Sequence, residues 1–136
     1  MICLGDRDFS GIDYPNAFCR STDGGTTWTN LEQTAFLESP GSQAGDQDVG
    51  FYVTGLAADR SRPGTIYSGL QEEECDVSNG RGVLVSRDRG DNWKPFALHG
   101  LTCCRVGTLI VDPVNPLFLY AWTGNNGLFR FGRPPQ

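Results

Sequence analysis

The chain has 136 residues, 38% hydrophobic and 20% charged, with sixteen Asp and Glu against eleven Lys and Arg for a net charge of −5. That balance excludes nucleic acid as an expected partner, because binding phosphates needs clustered basic residues. No apolar run approaches the roughly 18 residues of a membrane span, so no membrane insertion is expected, and "MICLGDRDFS" has neither the basic start nor the apolar core of a signal peptide.

Eighteen Gly and eight Pro punctuate short apolar runs. This favours strands and tight turns over long helices, and no window carries an amphipathic helix of three turns, so the chain reads as all-β. In chain order, "ICLG" (2–5), "AFCRSTD" (17–23) and "TWTNL" (27–31) are the first strands, followed by a polar connection over 32–51. "YVTGLAAD" (52–59), "TIYSGL" (65–70), "GVLVSRD" (82–88) and "NWKPFAL" (92–98) form a four-strand meander. "RVGTLIVD" (105–112), "LFLYAWT" (117–123) and "GLFRFG" (127–132) begin a third unit.

Two motifs recur in the same order. "RSTDGGTTWTNL" (20–31) aligns with "VSRDRGDNWKPF" (85–96) at an offset of about 65 residues, matching Ser21 to Ser86, Asp23 to Asp88, Gly25 to Gly90 and Trp28 to Trp93. "GLAADRSRPGTIYSGL" (55–70) aligns with "TLIVDPVNPLFLYAWT" (108–123), matching Asp59 to Asp112, Pro63 to Pro116 and Tyr67 to Tyr120. Labelling the strands of one unit A to D, the chain reads BCD–ABCD–ABC, the sequence form of about three four-stranded antiparallel blades of a partial β-propeller. The divisions are 1–31 for the first partial blade, 32–51 for the connection, 52–98 for the complete blade and 99–136 for the third. A ring needs about four to eight blades. The chain is therefore expected to be a fragment of a larger propeller, or to pair its open strand edges with another chain.

The repeated turn resembles the Asp-box, or BNR repeat, of pattern S/T-x-D-x-G-x-T-W. Ser21, Asp23, Gly25, Thr27 and Trp28 fit it; Ser86, Asp88, Gly90 and Trp93 fit it with Asn92 in place of Thr. The resemblance extends over nearly the whole chain to the Asp-box propellers, which include sialidases, xyloglucan-cleaving glycosidases, sortilin-type receptors and photosystem II assembly factors. It implies a propeller and leaves function open, because those relatives do unrelated things. It also favours an extracellular or periplasmic location. Physically, the motif reads as a structural turn: Ser and Asp side chains bond nearby backbone, Gly supplies positive φ, and Trp packs against the hairpin. No catalytic residue is assigned.

A–B and C–D turns lie on one propeller face and the longer B–C and D–A connections on the other, where ligands favour long loops on a rigid scaffold. Eleven of the sixteen acids fall in those long connections: Asp6, Asp8, Asp13, Glu32, Glu38, Asp46, Asp48, Glu72, Glu73, Glu74 and Asp76. The reading is an acidic face, either plainly solvated or binding a protein or carbohydrate. "EEECD" matches no standard calcium loop, and no metal or cofactor is expected. Five cysteines include no CxxC, so a zinc site is disfavoured. Cys75 falls in a B–C loop and Cys103 and Cys104 in a D–A connection, which leaves a disulfide from Cys75 to either one open. Cys3 and Cys19, on neighbouring strands, are buried thiols or a second bridge.

Three functions compete: a non-catalytic binding module, a fragment of a secreted glycoside hydrolase, and a purely structural segment. The resemblance to sialidases implies an arginine cluster and a Tyr nucleophile, and no Arg here stands in such a motif. Glycosidases of the xyloglucan type need two opposed carboxylates. His99 is the lone histidine, which leaves no Ser-His-Asp or Cys-His pattern.

Overall fold

A computed structural model describes residues 2–4, 18–30, 51–72, 82–96, 105–124 and 126–132. Ten strands follow one another with no helix among the described residues. They are β1 (Ile2–Leu4), β2 (Phe18–Arg20), β3 (Thr29–Asn30), β4 (Phe51–Ala58), β5 (Ile66–Glu72), β6 (Val83–Ser86), β7 (Lys94–Pro95), β8 (Val106–Val111), β9 (Phe118–Thr123) and β10 (Gly127–Gly132). All pairings are antiparallel between chain neighbours. β1-β2-β3 form one sheet, β4-β5-β6-β7 a second and β8-β9-β10 a third. The all-β, BCD–ABCD–ABC partial propeller expected from the sequence is the fold observed.

The sequence offset between the second and third units is also a register offset. Val53 pairs with Leu70 and Gly55 with Gly69, as Val106 pairs with Thr123 and Thr108 with Trp122. Each strand A therefore carries an extra residue at the same place, Thr54 in β4 and Gly107 in β8. Such a bulge bends a strand and sharpens its twist. The A–B turns match as well. Asp59 N–H donates to Thr65 O at 3.0 Å and Asp112 N–H to Phe118 O at 3.0 Å. Inside those turns the Asp59 carboxylate accepts from Ser61 N–H at 3.0 Å, and Asp112 accepts from Val114 N–H at 2.8 Å.

The second sheet is buried on both faces, which explains the apolar run Val83–Leu84–Val85 of β6, buried together with Ser86. Ala57, Tyr67, Val83, Val85 and Phe96 pack against Val106, Leu109, Leu119 and Ala121 of the third sheet. Tyr67 and Phe96 meet edge to face, with ring centroids 5.3 Å apart. On the opposite face Leu70, Leu84 and Trp93 cluster with Val53, Leu56 and Ile66. Where β8 crosses β4 and β5 the backbones nearly touch. A Cβ on Gly69 would lie 2.7 Å from Val106 O, and one on Gly55 would lie 3.0 Å from Gly107 O. Thr54 Oγ1 donates to Val106 O across the same junction.

Three details differ from expectation. Glu72, placed by sequence in a long connection, ends β5 and pairs with Phe51, because β4 starts early enough to give it a partner. Trp28 and Trp93 precede β3 and β7 instead of opening them. β7 is only two residues long, although Phe96 N–H still donates to Val83 O at 2.8 Å and carries the pairing one step further.

Candidate functional site

Both copies of the repeated turn sit on hairpins, β2 to β3 and β6 to β7. In the first, Ser21 Oγ donates to Asp23 Oδ1 at 2.8 Å and accepts from Gly25 N–H at 2.7 Å. Asp23 Oδ1 accepts from Thr27 N–H at 2.9 Å and Oδ2 from Thr27 Oγ1 at 2.6 Å. Trp28 Nε1–H donates to Gly25 O at 3.1 Å. In the second, Ser86 Oγ donates to Asp88 Oδ1 at 2.8 Å and accepts from Gly90 N–H at 2.7 Å. Asp88 accepts from Asn92 N–H at 2.9 Å and from Asn92 Nδ2–H at 2.7 Å. Trp93 Nε1–H donates to Gly90 O at 3.0 Å. Asn92 thus replaces Thr27 without changing the bonding, because an amide N–H reaches the carboxylate as a hydroxyl does.

The backbone follows the same plan. Gly25 and Gly90 have φ of 100° and 95°, in the region closed to most side chains. The position before them is also left-handed, with Gly24 at 76° in the first turn and Arg89 at 65° in the second. Arg89 is the non-glycine residue with positive φ among those described.

The turn carboxylates are acceptors held in their ionised form. Asp23 lies well below the usual carboxylate range, chiefly through the Thr27 hydroxyl, then the Thr27 and Ser21 donors. At Asp88 burial pushes the pKa up, but Asn92 and Ser86 outweigh it and the net shift is downward. Asp112 is lowered by the Asn115 and Val114 N–H groups. A carboxylate so engaged is a poor general acid or base near neutral pH.

Of the acidic candidates, Asp6, Asp8, Asp13, Glu32, Glu38, Asp46, Asp48, Glu73, Glu74 and Asp76 lie outside the described residues, as do Cys75, Cys103 and Cys104. Cys19 is disulfide-bonded, and the β1–β2 register sets Cys3 opposite it.

The structure also brings together residues that the sequence did not single out. A cleft of about 560 Å³ opens between the first two sheets, lined among the described residues by Arg20, Thr22, Leu56, Thr65, Ile66 and Arg89. Arg20 Nη1 donates to Asp91 Oδ1 at 2.6 Å and to Arg89 O at 3.1 Å, linking the two hairpins. The repeat held the signal for this. Arg20 precedes Ser21 as Val85 precedes Ser86, so an arginine occupies the position of a core valine.

No family model matches the sequence, and a search of the curated proteins found no match. Among solved structures, the chain resembles a GH74 enzyme of Niastella koreensis, a β-propeller, with 17% sequence identity and a TM-score of 0.51. The likeness covers 85% of this chain and 17% of that enzyme. At that identity it speaks to fold, so the propeller architecture rests on both the strand order and a known relative in shape.

Proposed function

We propose that this chain is part of an Asp-box propeller scaffold with a non-catalytic role, binding a protein or a carbohydrate through its acidic long-connection face. One observation carries the reading. The motif's own carboxylates, Asp23 and Asp88, are each engaged by hydrogen bonds within their hairpins, so the most ordered motif of the chain supports structure and leaves binding to other surfaces. The concentration of acids in the connections, including Asp6, Asp8, Asp13, Asp46, Asp48, Glu73, Glu74 and Asp76, supports the choice of face. Such a face suits a cationic protein surface or the hydroxyls of a glycan.

A second reading, a fragment of a secreted glycoside hydrolase, is favoured by the likeness to the GH74 enzyme. It places most of the catalytic groups outside this chain. A glycan array run beside a chromogenic glycoside screen separates the two. The binding reading expects glycan or protein capture without turnover. Turnover lost on neutralising Asp46, Asp48, Glu73 or Glu74 would overturn it in favour of the hydrolase.

A further inference from the structure

The second and third sheets meet through an apolar core in which Val85 is buried, with a pocket of about 570 Å³ near their A–B turns. At the register position of Val85 the first sheet presents Arg20, which lines the cleft of similar size at its junction with the second sheet. The Arg20 side chain is only 20% exposed, yet it spends a single nitrogen, Nη1, on Asp91 and Arg89 O. Among the described residues, Nε and Nη2 have no partner. Those donors keep contact with solvent, so an acceptor that enters the cleft can reach them.

Arg89, an exposed residue, lines the same cleft. It holds φ of 65°, where the first turn uses Gly24. A side chain kept at a strained backbone position, where the repeat offers glycine, points to a role for that side chain. Its guanidinium has no ion-pair or hydrogen-bond partner among the described residues. Asp59 also borders the cleft, with Arg62 Nε 4.0 Å from its Oδ2. It is buried and accepts from Ser61 N–H and Oγ at 3.0 and 2.6 Å.

We infer that the cleft between the first and second sheets is a binding site for a small organic carboxylate. The carboxylate sits against Arg20 and Arg89, whose fork of donors matches it. Its hydrocarbon body lies along Leu56 and Ile66. The cleft volume falls within the range of small-molecule sites. The net charge of −5 disfavours anions of higher charge, so a monovalent carboxylate is the ligand class.

The test titrates benzoate into the 136-residue chain and follows the arginine Nε–H signals by NMR, with benzamide as the neutral isostere. Benzoate is expected to bind with a Kd of about 1 mM and benzamide about tenfold more weakly. Arg20→Gln and Arg89→Gly are each expected to weaken benzoate about tenfold. Glycine takes a φ of 65° without strain, so Arg89→Gly keeps the fold and decides the matter if Arg20→Gln fails to fold. Equal affinity for benzoate and benzamide, no benzoate binding, or undiminished binding by Arg89→Gly overturns the proposal.

Discussion

At Ser21–Trp28 and again at Ser86–Trp93 the chain closes a hairpin with matching Ser, Asp and Trp side-chain bonds, yet the two tryptophans end in different surroundings. Trp28 is 43% exposed and Trp93 only 1%. Both indoles donate to the glycine carbonyl three residues back, so the local geometry is the same. What differs is the sheet around them. Trp93 lies in a cluster with Leu70 and Leu84, on a sheet packed on both faces. The motif therefore specifies a turn, and neighbouring sheets decide how much the turn contributes to stability. An order of magnitude follows: a fully buried aromatic adds several kcal/mol, while a half-exposed one adds a fraction of that.

Truncating both indoles has the largest expected effect. Trp93→Ala should cost about 3–5 kcal/mol in urea unfolding, and Trp28→Ala clearly less. Equal costs would mean that the turn, and not its burial, sets the energy. A smaller difference is expected one bond earlier. Ser86→Ala leaves the buried Gly90 N–H without its acceptor and should cost about 1–3 kcal/mol; Ser21→Ala, acting on the less buried Gly25 N–H, should cost less. Thermal denaturation of the two variants measures both.

Acid tests what the turns share. The carboxylates of Asp23, Asp88 and Asp112 titrate below their unfolded range, so their contribution is complete above about pH 4 and is lost as the pH falls further. Urea midpoints should therefore be flat from about pH 7 to pH 5 and decline below about pH 4, and Asp88→Asn should flatten part of that decline. A midpoint that rises on acidification would contradict the assigned bonding. The smallest effect belongs to Asn92→Thr, which restores the residue of the first turn. With both donors to Asp88 kept, stability should change by no more than about 0.5 kcal/mol.

Much of this architecture is legible in the sequence. The recurring Ser, Asp, Gly and Trp fixed where two hairpins lie, and the Asp–Pro–Tyr recurrence fixed where two A–B turns lie, because turns are set by residues close in sequence. The bulges at Thr54 and Gly107 were not legible, since nothing in a strand's composition marks the residue that the ladder skips. Nor was the exposure of Trp28, which depends on what covers a sheet face far away in sequence. The candidate sites are less legible. The acids of the connections lie almost wholly outside the described residues, and the cleft is lined by Arg20 and Arg89, two residues that read in sequence as ordinary surface charges. Only alignment of Arg20 with buried Val85, and of Arg89 with Gly24, makes them stand out, and that alignment gains meaning once the register shows that equivalent positions face equivalent interfaces.

The paired bulges carry a consequence for how such a chain can grow. Thr54 supplies a hydroxyl that grips Val106 of the neighbouring strand, and Gly55 and Gly69 supply the bare backbone that lets that strand come near. At the matching positions the third unit carries Gly107, Thr108 and Trp122. A further unit could not seat on the third as the third seats on the second, so lengthening the array with the same joint would have to carry Thr54, Gly55 and Gly69 across together.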